Sequence, residues 1–111
     1  MGLFSKKEQV KVEENTTTAV DRRIQEQLED DDNHAKGLVG LLKSGHPLVL
    51  NFKKLEIDAA NKFLAFFSGA ACALNGRIVR LNNTTYLFAR EEDFEDGTLN
   101  DFIQSIISSQ N

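Results

Sequence analysis

Apolar residues fall into separated blocks, and their spacing predicts an alternation of helices and strands. Ala35, Leu38, Val39 and Leu42 recur at intervals of three and four, with Gly45 as a stop, which predicts an amphipathic helix. After Pro47 the run Leu48-Val49-Leu50-Asn51-Phe52 reads as a short buried strand. Asp58 is placed to cap a second helix bearing Ala59, Ala60, Phe63, Leu64, Phe66, Phe67, Ala70, Ala71 and Leu74. Asn75-Gly76 closes it, on the expectation that the glycine takes a left-handed conformation. Residues 77–81 and 85–88 read as strands joined by Asn82-Asn83-Thr84. Thr98-Leu99-Asn100-Asp101 resembles a capping box opening a last helix striped by Leu99, Phe102, Ile103, Ile106 and Ile107. Val20, Ile24 and Leu28 recur every four residues, a helical interval, although the same stretch also alternates apolar with charged. The order predicts an α/β (α+β) two-layer sandwich: a small, mostly antiparallel or mixed sheet packed against helices.

Centring the hairpin on Asn83 sets Arg80 opposite Tyr86, Val79 opposite Leu87 and Ile78 opposite Phe88. Alternation then puts Val79, Leu81 and Leu87 on a face that should pack on helices. Ile78, Arg80, Tyr86 and Phe88 share the other face, where apolar and aromatic groups surround one arginine. That is the composition of a partner-binding hot spot.

The second helix contains six small residues in succession, Ser68-Gly69-Ala70-Ala71-Cys72-Ala73, with Phe66 and Phe67 one turn before. A glycine inside a helix costs about 1 kcal/mol relative to alanine, so close approach by another backbone is the expected compensation. The extra apolar face is covered either by the C-terminal helix or by a second copy. A homodimer through Phe66, Gly69, Ala70 and Ala73 is the favoured reading.

Composition narrows the function classes. With 111 residues, 41% hydrophobic, the chain has room for one core. It has no apolar run long enough to span a membrane and no secretory signal, so a cytoplasmic place is expected. A lone Cys72 builds neither a disulfide framework nor a thiolate metal site, and it reads as a small apolar group. Asp30-Asp31-Asp32 reads as a solvated turn and helix start, because adjacent carboxylates diverge on any regular element. His34 and His46 read as exposed loop histidines. No cofactor, metal or catalytic residue is expected.

The net charge of −4 conceals a basic middle: residues 34–90 carry eight Lys/Arg and two Asp/Glu, whereas 91–111 carry six acids and no base. Residues 1–18 read as a leader ahead of a core at 19–111. Within the leader, Leu3 and Phe4 beside Lys6 and Lys7 fit the start of an amphipathic membrane-surface segment. Lys6 occupies the position where a myristoylation signal needs Ser or Thr.

Pro47 to Phe52, Asp58 to Phe67, Ser68-Gly69 and Leu74-Asn75-Gly76 together resemble the SepF family of bacterial and archaeal division proteins. Those proteins have a V-V-x-N-L or V-V-x-D-L strand, an A-x-x-x-x-D-F-x-S-G helix, A-x-x-G and a hairpin. The resemblance covers about residues 35–90. It implies a dimerising α/β sandwich, an N-terminal membrane-binding segment and capture of the C-terminal tail of FtsZ, aiding septum assembly. By the same resemblance Arg80 and Tyr86 fall at the tail-contacting positions and Gly69 at a self-association position. Met1 to Lys7 falls at the anchor, and a strand is implied near Ile24 to Leu28. The chain departs from the family pattern at Ala65, where Asp is usual, and at Arg90, where Pro commonly ends the hairpin. A STAS-like regulatory domain is the alternative, since Ile57-Asp58-Ala59-Ala60 follows a strand as a phosphorylation turn does, with alanines at the phosphoacceptor positions. Nucleic-acid binding through the basic middle ranks below both and is not expected, because Arg77, Arg80 and Tyr86 form too thin a stripe.

Overall fold

A computed structural model describes residues 17–110. A 3-10 turn at Val20–Arg22 leads into β1 (Ile24–Gln27), α1 (Asp32–Lys43), β2 (Leu48–Asn51) and α2 (Ile57–Ala73). The chain continues through β3 (Gly76–Arg80), β4 (Thr85–Arg90), a second 3-10 turn (Glu91–Phe94) and α3 (Thr98–Ser109). The four strands form one mixed sheet in the order β1-β2-β4-β3. β1 runs parallel to β2, and β4 runs antiparallel to both β2 and β3. The architecture is the α+β fold with a mixed sheet packed against helices that the apolar pattern predicts, although helices cover both faces of the sheet rather than one.

Leu48 and Leu50 of β2 point into a core with Leu38 and Leu42 of α1, Phe63 and Phe67 of α2, and Phe88. Val49, between them, points the other way and joins Leu87, Ala89, Phe94, Leu99 and Ile103. Period-2 alternation thus splits one apolar strand between two cores. Helices α1 and α2 cover the first face, and α3 with the second 3-10 turn covers the opposite one. This corrects the expected division of faces: Val79, Leu81 and Leu87 do pack on a helix, but the Phe88 face is also covered.

β1 resolves the ambiguous segment as strand. Ile24 N donates to Pro47 O at 2.8 Å and Leu28 N to Asn51 O at 2.8 Å, tying both ends to β2. Residues four apart share a face in a helix and in a strand alike, so the Ile24–Leu28 spacing could not discriminate. Pairing with β2 decides it.

The helix termini differ in detail from expectation. α1 is capped by Asp31, whose carboxylate accepts from His34 N at 3.1 Å. α2 starts at Ile57 with Glu56 at the cap position, and Asp58 lies in the first turn instead. After α2 it is Asn75 that takes the left-handed conformation, with φ 56°. Gly76 is required for space: a Cβ there would lie 2.7 Å from Ala89 O and 2.8 Å from Ala71 O. The capping box at α3 does not form. Gly97 holds the cap position, and the Thr98 hydroxyl donates to Asp96 at 2.7 Å. Asp96 also accepts from Thr98 N at 2.9 Å and Ala19 N at 2.8 Å, which hold its carboxyl below the usual range.

Candidate functional site

The β3–β4 hairpin gathers the residues singled out by sequence. Its register sets Arg80 opposite Tyr86, Val79 opposite Leu87 and Ile78 opposite Phe88, centred on Asn83. The turn is held by Asn82, whose side-chain oxygen accepts from Thr84 N and Thr85 N at 3.0 Å each. This Asx arrangement explains why an Asn-Asn-Thr loop closes the hairpin without glycine.

The four candidate contact residues separate by depth. Ile78 is 41% exposed. Arg80 is exposed, and its guanidinium donates to Asn82 O at 3.3 Å and Asn83 Oδ1 at 3.2 Å. Among the described residues no carboxylate forms an ion pair with it. Tyr86 is half-buried, its ring edge-on to Phe52 at 5.5 Å and stacked near Phe88 at 6.3 Å. Phe88 is fully buried against Phe67, with ring centroids 5.5 Å apart. Phe88 is therefore the floor under the hairpin and not a contact surface, which corrects the expectation placed on it. It is buried because α2 lies over this face, a tertiary relationship that strand alternation does not encode. Ile78, Arg80 and Tyr86 remain accessible as one apolar, one cationic and one aromatic group.

Arg77, one residue before Ile78, points to the opposite face. It makes a two-pronged pair with Glu91 at 3.1 and 2.7 Å and stacks 4.0 Å above the Phe94 ring. Hydrogen bonding to Arg77 lowers the Glu91 carboxyl from its ordinary value. Arg77 is thereby committed to the fold, and Arg80 is left as the cation available at the hairpin.

On α2, Phe66, Gly69 and Ala73 are exposed and Ala70 is half-buried. At 100° per residue these four lie on one strip of the helix, bordering the face that puts Phe63, Phe67 and Ala71 in the core. α3 packs across the sheet and leaves this strip uncovered. A Cβ added at Gly69 meets nothing within 4 Å, so no neighbour in the described chain explains the glycine. Beside the strip, Ala35, Phe63 and Phe66 line a cleft of about 230 Å³ rimmed by Lys36 and Lys62. Cys72 is exposed on α2 rather than packed as a small apolar core group.

The remaining polar candidates have structural partners. Lys62 Nζ bridges Asp30 at 3.2 Å and Asp32 at 3.0 Å, which accounts for two of the three consecutive aspartates. His34 stands in the first turn of α1, not in a loop, and pairs with Glu26 of β1. His46 Nδ1 lies 3.0 Å from Arg22 O.

One cluster escaped the sequence reading. Asp93 is 4% exposed, and it accepts from Arg22 at 3.0 Å and from Arg90 at 3.0 and 3.2 Å. Arg22 also donates to Gly45 O and Arg90 to Lys43 O, so the cluster ties the first 3-10 turn, the end of α1 and the end of β4 together. Arg90 lies only three positions from Asp93, but Arg22 lies 71 away, and no local spacing announces that pairing. Leu3, Phe4, Lys6 and Lys7 lie outside the described residues. Among those residues, no helix is long and apolar enough to cross a membrane.

A family model described as cell division protein SepF matches residues 30–91, from the acidic turn before α1 through the end of the hairpin. Proteins named cell division protein SepF are also similar to part of the chain. The one from Carboxydothermus hydrogenoformans is 29% identical over 63% of this chain and 51% of its own length. That from Natranaerobius thermophilus is 34% identical over 52% and 35%. That from Alkaliphilus metalliredigens is 36% identical over 50% and 37%. The chain thus spans about half or less of the length of these relatives.

Proposed function

The chain belongs to the SepF family of cell division proteins, and from that premise we propose that it is an adaptor that binds the C-terminal tail of FtsZ and tethers division filaments to the membrane. The observation that carries this reading is the Arg80–Tyr86 pair across the hairpin, with Ile78 exposed beside it. An apolar and aromatic surface anchors a short peptide by burial, and an exposed arginine with no ion-pair partner among the described residues selects for a carboxylate. The two sit on adjacent antiparallel strands, so their separation is fixed before the tail arrives and little ordering of the protein opposes binding.

Self-association is the second component. The Phe66, Gly69, Ala70 and Ala73 strip is apolar, and among the described residues nothing covers it or obstructs Gly69, which suits it to a second copy of α2. Two linked tail sites would convert weak single contacts into firm attachment along a polymer, because the second contact forms at a high effective concentration. The third component is membrane attachment by Leu3, Phe4, Lys6 and Lys7, working peripherally from the cytoplasmic side at the division site. Membership of the SepF family removes the premise of the STAS-like alternative.

Titration of an FtsZ tail peptide into the wild-type chain and into Arg80→Glu tests the reading. Binding that weakens by at least tenfold in the variant supports the site. Equal binding by both proteins, or none by either, overturns it.

A further inference from the structure

β3 ends the sheet, and the bonding of the hairpin fixes which of its peptide groups face outward. Leu81 N donates to Thr85 O at 2.9 Å, and Glu91 N donates to Asn75 O at 3.0 Å. Both pairs obey the register centred on Asn83, so hydrogen-bonded pairs fall at odd positions, including Arg77 with Ala89 and Val79 with Leu87. The N–H and C=O groups of Ile78 and Arg80 therefore point away from β4, along the open edge. Their side chains, two positions apart, lie on one face. The other sheet edge differs: β1 carries Glu26, with Glu29, Asp30 and Asp31 close behind, and would repel an acidic segment.

We propose that β3 receives an extended acidic peptide as a fifth strand, held by the outward backbone groups of Ile78 and Arg80. The inference rests on the tail-binding reading and specifies how the tail is held. Side chains directly opposite on neighbouring strands lie about 5 Å apart, so the peptide presents an apolar residue beside Ile78 and a carboxylate beside Arg80. Its motif is an apolar and an acidic residue separated by one position. Charge favours such a peptide over a second copy of the strand. β3 has two arginines and no carboxylate, so self-pairing would bring four arginines together, with one Glu91 per copy to offset them. Backbone bonds supply affinity in this mode, and the two side chains select the sequence.

Residue-resolved amide exchange on the full chain, with and without an FtsZ tail peptide, tests the proposal. The Ile78 and Arg80 amides are expected to exchange rapidly in the free protein and to slow by at least tenfold in the complex. Peptides N-methylated at successive positions should lose at least tenfold in affinity at alternate residues and keep it between them. Tail binding without protection of these two amides, or with indifference to every N-methyl group, overturns strand addition and leaves the tail site standing. Protection already present in the free protein and lost on dilution assigns the edge to a second copy and overturns the proposal. Failure of the wild-type chain to bind the peptide at all removes the tail site and the strand addition together.

Discussion

Arg80 stands directly across the hairpin from Tyr86, and the next pair on that face, Ile78 with Phe88, joins an exposed residue to a fully buried one. The face thus passes from surface to core within two residues, and substitutions along it should separate binding from stability. Phe88→Ala removes a ring packed against Phe67 and Tyr86 and is expected to cost about 3–5 kcal/mol. Arg80→Glu, at an exposed position, should change stability by no more than about 0.5 kcal/mol. Urea denaturation of the two variants checks both figures. A Phe88→Ala protein as stable as wild type would remove the floor assigned to that ring.

Gly76 and Gly69 should respond oppositely to alanine. At Gly76 the new Cβ meets two backbone oxygens inside 3 Å, and neither can move without disturbing α2 or β4. Gly76→Ala is expected to cost about 1–3 kcal/mol, as overpacked sites do. At Gly69 the Cβ meets open space, so the monomer should gain up to about 1 kcal/mol of helix propensity. If the α2 strip is the contact between copies, Gly69→Ala also weakens association. Denaturation at low concentration, paired with sedimentation across a dilution series, reads the two effects separately. A Gly69→Ala chain that is less stable as a monomer would contradict the open space at that position.

Local pattern carried the hairpin register, the buried strand β2 and the bodies of all three helices, because each is set by the spacing of neighbours in sequence. It failed where a long-range partner decides. Ile24–Gln27 is strand because β2 offers it backbone partners, and a four-residue interval is blind to that choice. Phe88 is buried because α2 crosses it, so an alternating strand with one arginine could not announce a covered face. Gly76 was read correctly as a helix boundary for the wrong physical reason: the left-handed residue is Asn75, and the glycine serves a close approach. The pairing of Arg80 with Tyr86 was legible from hairpin geometry alone. The Arg22–Asp93–Arg90 cluster was not, since its acid and one of its bases lie 71 positions apart.

That cluster makes a stability prediction independent of the tail site. Asp93 has a side-chain exposure of 3%, whereas Arg22 and Arg90 keep 29% and 22%. Removing the carboxylate leaves two guanidiniums facing each other, with Glu92, 3.4 Å from Arg90, as the remaining counter-charge. Asp93→Ala is therefore expected to destabilise by about 3 kcal/mol, the low end for breaking a buried pair, because both arginines retain some water. Thermal denaturation of Asp93→Ala beside Asp93→Asn checks it. Wild-type stability in both variants would mean that the acid contributes nothing to joining the first turn, α1 and β4.

His34 and Glu26 join α1 to β1 at the edge of the sheet and give the fold a pH dependence of definite sign. The hydrogen bond to Glu26 raises the imidazole above its ordinary value of 6.5, burial opposes this weakly, and the charges of Glu26, Asp31 and Glu29 add to the rise. A group whose pKa is higher folded than unfolded binds its proton more tightly in the fold. Its stabilisation is complete below the unfolded value and disappears as pH climbs through the raised folded one. Side-chain exposures of 48% and 34% let water and salt screen the pair, so the contribution is small and should fall further as salt is added. An NMR titration of the His34 ring is expected to place its midpoint above 6.5 and to show it moving down in Glu26→Gln. A midpoint that stays put when the carboxylate is removed would mean that the contact between α1 and β1 does not form in solution.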